Sequence, residues 1–141
     1  MWNMLWPVLV VIGSNTVYHI ASKSTVETVD PFASLSVTYL TGAAVSALLF
    51  LVTNRERNIA LEISRMNWAT IALGVAIVGL EFGFLQIYRT GWKISTAQLV
   101  ASVGLSCVLI LIGLLVYRET VSLRQWLGFA VCLVGLWLIA K

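Results

Sequence analysis

Glu81 is the residue most able to do chemistry in this chain. It stands in Gly79-Leu80-Glu81-Phe82-Gly83, inside an apolar run that begins at Trp68. A helical rise of about 1.5 Å per residue places it roughly 20 Å along that run. A charged carboxylate at such a depth costs at least about 2.5 kcal/mol unless it meets a partner, a cavity or a proton. Two chemistries follow. The group is either a neutral carboxylic acid hydrogen-bonded between helices, or a site that takes substrate and protons.

The first apolar run supplies partners for it. Asn15 and His19 are spaced i,i+4, and Tyr18 and Ser22 extend the same stripe. From Met4 the rise carries Asn15 about 16 Å and His19 about 22 Å. If the two helices run in the same direction, Glu81 falls between them in depth. The candidate substrate- and proton-binding residues are therefore Glu81, Asn15, Tyr18 and His19. For His19 the competing reading is an interfacial histidine bonding a carbonyl near the helix end. Tyr39, Gln86 and Tyr88 are weaker candidates, since each could simply satisfy a neighbouring helix.

Other chemistries lack their residues. No nucleophile, base and metal constellation appears, so an enzyme is not expected, and neither a metal nor a cofactor is called for. Cys107 and Cys132 fall in separate apolar runs without CxxC or Cys/His spacing, as small core residues do. Basic residues sit at the ends of apolar runs, with no stripe suited to nucleic acid.

The elements that must position these groups are membrane helices. Of 141 residues, 60% are hydrophobic and 11% charged, against about 25% charged in an average soluble domain. Mean hydropathy is +0.94. So much apolar surface requires lipid as its solvent. A span needs about 20 apolar residues, and five segments approach that length, at about 5–22, 33–53, 68–88, 96–116 and 124–140. The first has no positive leading segment and is broken by Asn15, Tyr18 and His19, so it reads as a retained helix rather than a signal peptide.

Helix-starting residues separate the segments: Asp30-Pro31 before the second, Asn67 before the third, Ser95-Thr96 at the fourth and Ser122 before the fifth. Six tryptophans lie near segment ends, where indoles favour the interface. The longest loop, 54–67, carries Ile59 and Ile63 at helical spacing, and is either a surface-lying amphipathic turn or a solvated linker.

Five spans put Arg55, Arg57, Arg65, Arg118 and Arg124 on one face, and Lys23, Arg89, Lys93 and Lys141 on the other. Orientation follows an excess of Lys and Arg on the cytoplasmic side. An excess of one residue predicts a weakly fixed orientation or insertion both ways. Gly79 and Gly83 form GxxxG, a structural motif for close helix approach or oligomerisation.

The stretch Tyr117-Arg118-Glu119-Thr120-Val121-Ser122-Leu123-Arg124-Gln125-Trp126-Leu127-Gly128, followed by an apolar helix with Gly135, resembles the end of an EamA domain of the drug/metabolite transporter superfamily. The upstream order is also similar, and the resemblance covers nearly the whole chain. It implies a single EamA-like domain of five helices over 1–141, with Glu119 matching an acidic residue that caps or orients the last helix. Family members commonly carry two such domains in inverted orientation, and this chain carries one. The proline common in the fourth helix is absent. The related small multidrug resistance proteins keep a glutamate in their first helix, where this chain has no carboxylate.

The expectation is an all-α integral protein of the cell membrane, pairing as a ten-helix antiparallel homodimer. Its partners would be the lipid bilayer, protons and a small-molecule substrate, and its activity proton-coupled secondary transport of a small metabolite or drug. The alternatives are a non-transporting membrane subunit or half-transporter partner, or a subunit of a lipid-linked-sugar flippase.

Overall fold

A computed structural model describes residues 2–53, 58–118 and 122–140. Six helices occur in it: α1 (Trp2–Ser24), α2 (Pro31–Thr53), α3 (Ile59–Ser64), α4 (Trp68–Arg89), α5 (Ile94–Leu115) and α6 (Leu123–Ala140). No strand is present among the described residues. The chain divides into two compact units, residues 1–89 and 90–141.

Among the described residues four helices are long and apolar enough to cross a membrane: Leu5–Ser24, Pro31–Thr53, Trp68–Arg89 and Ile94–Leu115. The protein is thus a helical membrane protein. The fifth expected span corresponds to α6, an 18-residue helix. Most large apolar side chains are exposed along these helices, Val17, Leu40, Val52 and Leu115 among them. That is the surface lipid solvates, because hydrocarbon tails are as apolar as leucine.

Local chemistry explains the boundaries. Asp30 caps α2, its Oδ1 accepting from the Ala33 amide at 3.0 Å. Asn67 does the same for α4 through the Ala69 amide, also at 3.0 Å. At α6, Ser122 and Gln125 form a reciprocal capping box. The Ser122 amide and hydroxyl donate to Gln125 Oε1 at 2.8 Å each, and the Gln125 amide donates back to Ser122 Oγ at 3.4 Å. Helix α5 begins at Ile94, one residue before the Ser95-Thr96 expected to start it. The Lys93 carbonyl accepts from the Ala97 amide, and the Thr96 hydroxyl folds back onto that same carbonyl. Gly91, with φ of +87°, supplies the left-handed turn that follows α4.

Part of the 54–67 loop is a helical turn. Asn58 caps α3 by accepting from the Leu61 amide at 3.2 Å, and Arg65 pairs with Glu62 at 3.4 Å. Ile59 and Ile63 are both exposed on it. Arg55, Arg57, Glu119 and Lys141 lie outside the described residues.

In the first unit α4 is the hub. Helices α1 and α2 each pack on it, and among the described residues they make no comparable contact with each other. Phe32 stacks on Phe82 at 5.0 Å to join α2 to α4. Phe84 takes the edges of Tyr18 and His19 at 6.0 and 4.8 Å to join α1 to α4. Aromatic pairs of this kind are each worth about 0.5–1.5 kcal/mol beyond their area. In the second unit α5 packs on α6, and Ala97 and Gly113 are its buried residues.

Gly79 and Gly83 do not mediate these contacts. A Cβ built on either would meet nothing within 4 Å among the described residues.

Candidate functional site

Because α1 and α2 both lean on α4 without closing on each other, a gap is left between them. It is a cleft of about 120 Å³ lined by Tyr18, Ala21, Ser22 and Thr25 of the first helix and its end, Ser34, Leu35 and Thr38 of α2, and Glu81 and Leu85 of α4. Glu81 is its only carboxylate, and five hydroxyl groups stand around it. Glu81 is half-buried, and Leu35 and Leu85 are buried.

The hydroxyls are not equivalent. Thr38 donates to the Ser34 carbonyl at 3.1 Å and Thr25 to the Ala21 carbonyl at 3.2 Å, so their own helices satisfy them. The Tyr18 hydroxyl is buried and makes no well-aligned hydrogen bond, with Ser22, one turn along, within reach. The Tyr39 hydroxyl is likewise buried and out of line for a well-formed bond, but it lies within hydrogen-bonding reach of the Glu81 carboxyl. Tyr18 also feels the Glu81 carboxylate. Two buried phenols loosely engaged beside a carboxyl make an incompletely satisfied polar site, and a buried polar group left wholly unpaired costs about 1–3 kcal/mol.

The residues expected to act together are divided by the helix period. Tyr18 shares the cleft with Glu81, and Ser22 lies one turn further along the same face. His19, about 100° around α1 from Tyr18, does not line the cleft. It is buried to 5% exposure, and its Nδ1 shares a hydrogen bond of 2.8 Å with the Tyr88 hydroxyl. Its Nε2 has no partner. Asn15 is half-buried and does not line the cleft either.

Ser34, Leu35 and Thr38 were not anticipated. Ser34 and Thr38 carry the same i,i+4 polar spacing that singled out Asn15 and His19, so a signal existed for them. None existed for Leu35. Among the described residues no group of three His, Cys, Asp or Glu side chains could hold a metal ion.

One acid with hydroxyls around it, among lipid-facing helices, is a polar site in apolar surroundings. Residues 2–141 match the EamA-like transporter family. The chain belongs to that family. No curated protein and no solved structure matches it. This EamA-family chain is therefore a transporter-like membrane protein.

Proposed function

We propose that this EamA-family protein is a secondary transporter that exchanges protons for a small organic cation at Glu81. The observation that carries the reading is the placement of this one carboxylate, with the buried Tyr18 hydroxyl beside it, in a hydroxyl-lined cleft of about 120 Å³. A carboxylate holds either a proton or a cationic substrate. Mutual exclusion at one group couples opposite fluxes without a second ion. The hydroxyls supply hydrogen-bond acceptors for an ammonium group, and Leu35 and Leu85 supply an apolar wall for its carbon skeleton.

In this reading α6 is a fifth span, residues 1–141 act as a single EamA-like domain, and the protein resides in the cell membrane. Two copies pair in antiparallel fashion. The near balance of Lys and Arg across the two faces supports insertion in both orientations, and inverted repeats about a midplane site are a recurrent transporter design. Asn15 and His19 support the site from neighbouring positions on α1.

The test is uptake of candidate amines by proteoliposomes under an imposed proton gradient. Wild-type binding should weaken as the pH falls, because protons compete for Glu81. Glu81→Gln keeps the shape but cannot titrate, so it should fold yet lose both proton-driven uptake and the pH dependence of binding. Unchanged pH dependence in Glu81→Gln would make the residue structural. A cysteine at Asn58 should label from both sides of intact cells, and one-sided labelling would remove the antiparallel pair.

A further inference from the structure

A second, smaller chamber adjoins the cleft. It has a volume of about 10 Å³ and is lined by Ser22, Lys23, Thr25, Glu27, Leu85, Tyr88 and Arg89. Ser22, Thr25 and Leu85 line the larger cleft as well, so these three residues border both spaces. Glu81 lies eight residues before Arg89 on α4, roughly 12 Å at the helical rise. The chamber therefore lies between the cleft that holds Glu81 and the charged ends of α1 and α4.

Arg89 has two marks of a fastening. Its Nη2 donates to the Val29 carbonyl at 2.6 Å, tying the turn over residues 25–30 to the end of α4. The turn's other backbone bonds are local, from the Thr25 amide to Ser22 and from the Val29 amide to Val26, at 3.3 and 3.2 Å. The Nε of Arg89 is buried and has no partner. A space of about 10–15 Å³ is the least that holds one water, and such waters sit where buried polar groups are otherwise unsatisfied.

We propose that the small chamber holds a single water on Arg89, and that this water site is the doorway by which protons and solvent reach Glu81. Ser22 and Thr25 line the passage, Leu85 narrows it, and the Arg89–Val29 bond keeps the turn closed over it. The path opens on the face where α1 ends and α2 begins. Its relevance to transport rests on the reading of Glu81 given above; the passage itself does not.

The test uses a Cys107→Ala, Cys132→Ala background in nanodiscs, where both faces are open to a membrane-impermeant methanethiosulfonate reagent. Ser22→Cys should label slowly. Adding Arg89→Gln should speed that labelling at least about tenfold, the shift expected when a hydrogen bond from a charged donor is lost. Arg89→Lys, which keeps the charge but not the planar fork, should fall between, and it serves if the glutamine variant folds poorly. Leu111→Cys, on a lipid-facing position of α5, should remain inert throughout, whereas general loosening would expose it too.

An unchanged Ser22→Cys rate in both Arg89 variants, or a parallel rise at Leu111→Cys, overturns the proposal. Glu81→Gln should not alter the labelling. If uptake survives Glu81→Gln while Arg89→Gln still accelerates labelling, the transport reading fails and the doorway stands. If Glu81→Gln abolishes uptake while labelling ignores Arg89, the doorway alone is wrong.

Discussion

The two units of this protein differ in how some of their polar side chains are satisfied. In residues 90–141 the hydroxyl and amide groups described within α5 bond inside their own helix. Gln98 donates to the Ser102 hydroxyl at 3.1 Å, and Ser106 donates to the Ser102 carbonyl at 2.8 Å. In residues 1–89 many hydroxyls are also closed on their own helix, Thr38 and Thr41 among them, but other groups reach beyond it, as His19 does to Tyr88 and Arg89 to Val29, or are buried without a well-aligned bond, as with the hydroxyls of Tyr18 and Tyr39. A polar group closed on its own helix behaves in lipid nearly as an apolar one. A polar group left open is expensive, and such groups within the membrane mark pathways. The reading of Glu81 as the transport site therefore predicts that changes in the first unit matter more to uptake than changes in the second.

The sharpest way to break this contrast is to remove one polar group from each unit. Glu81→Gln should lower proton-driven uptake by roughly a hundredfold, the upper range of a coupling free energy between sites. Gln98→Ala, measured in the same vesicles, should change it less than twofold. Equal losses would abolish the division. A smaller effect is expected on stability. Tyr88→Phe leaves the buried Nδ1 of His19 unpaired and should cost about 1–3 kcal/mol, read as the loss of thermal stability in detergent. His19→Phe together with Tyr88→Phe should cost less than the two single changes summed, because both remove the same bond.

The second unit has its own critical polar group, at its helix end. Ser122→Ala dismantles the capping box and should cost about 1 kcal/mol, with uptake per folded protein unaltered. The smallest effect tests the idea of closure directly. Thr41 donates to the Val37 carbonyl at 2.9 Å within α2, so Thr41→Val should change stability by no more than about 0.5 kcal/mol, even though it lies in the first unit. A loss matching that of Tyr88→Phe would show that helix-internal bonding is not what separates the two groups.

Much of the fold was legible because lipid imposes one simple demand, a long apolar helix with its backbone satisfied internally. The starts at Pro31 and Trp68 could be placed from Asp30 and Asn67, whose side chains cap whatever helix follows them. The start of α5 could not, since Ser95 and Thr96 look like caps but the cap position is Lys93, whose side chain makes no capping bond. The site was legible along the helix axis and poorly legible around it. Rise alone puts Tyr18 near the depth of Glu81. Which side of α1 meets the cleft depends on rotation, and helices apolar nearly all round carry little signal about that. So His19, one residue away, turns to Tyr88 instead. The bond from Arg89 to Val29 had no sequence signal, because its acceptor is a backbone carbonyl.

The hub position of α4 has a consequence for how the protein is made. Chains emerge from the ribosome N-terminus first, at about 5–20 residues per second. Helices α1 and α2 enter the bilayer as a hairpin whose members scarcely touch. Until residues 68–89 follow, Tyr18, His19 and Tyr39 have no protein surface to turn toward, and the membrane must accommodate an ill-matched pair for several seconds. Arrival of the third span then assembles the pocket, its acid and its fastening in one event, since Phe84, Tyr88 and Arg89 lie on the same helix. A nascent chain stalled before Arg89 would present open phenols and an imidazole to lipid, the kind of surface by which membrane quality control distinguishes an unfinished protein from a finished one.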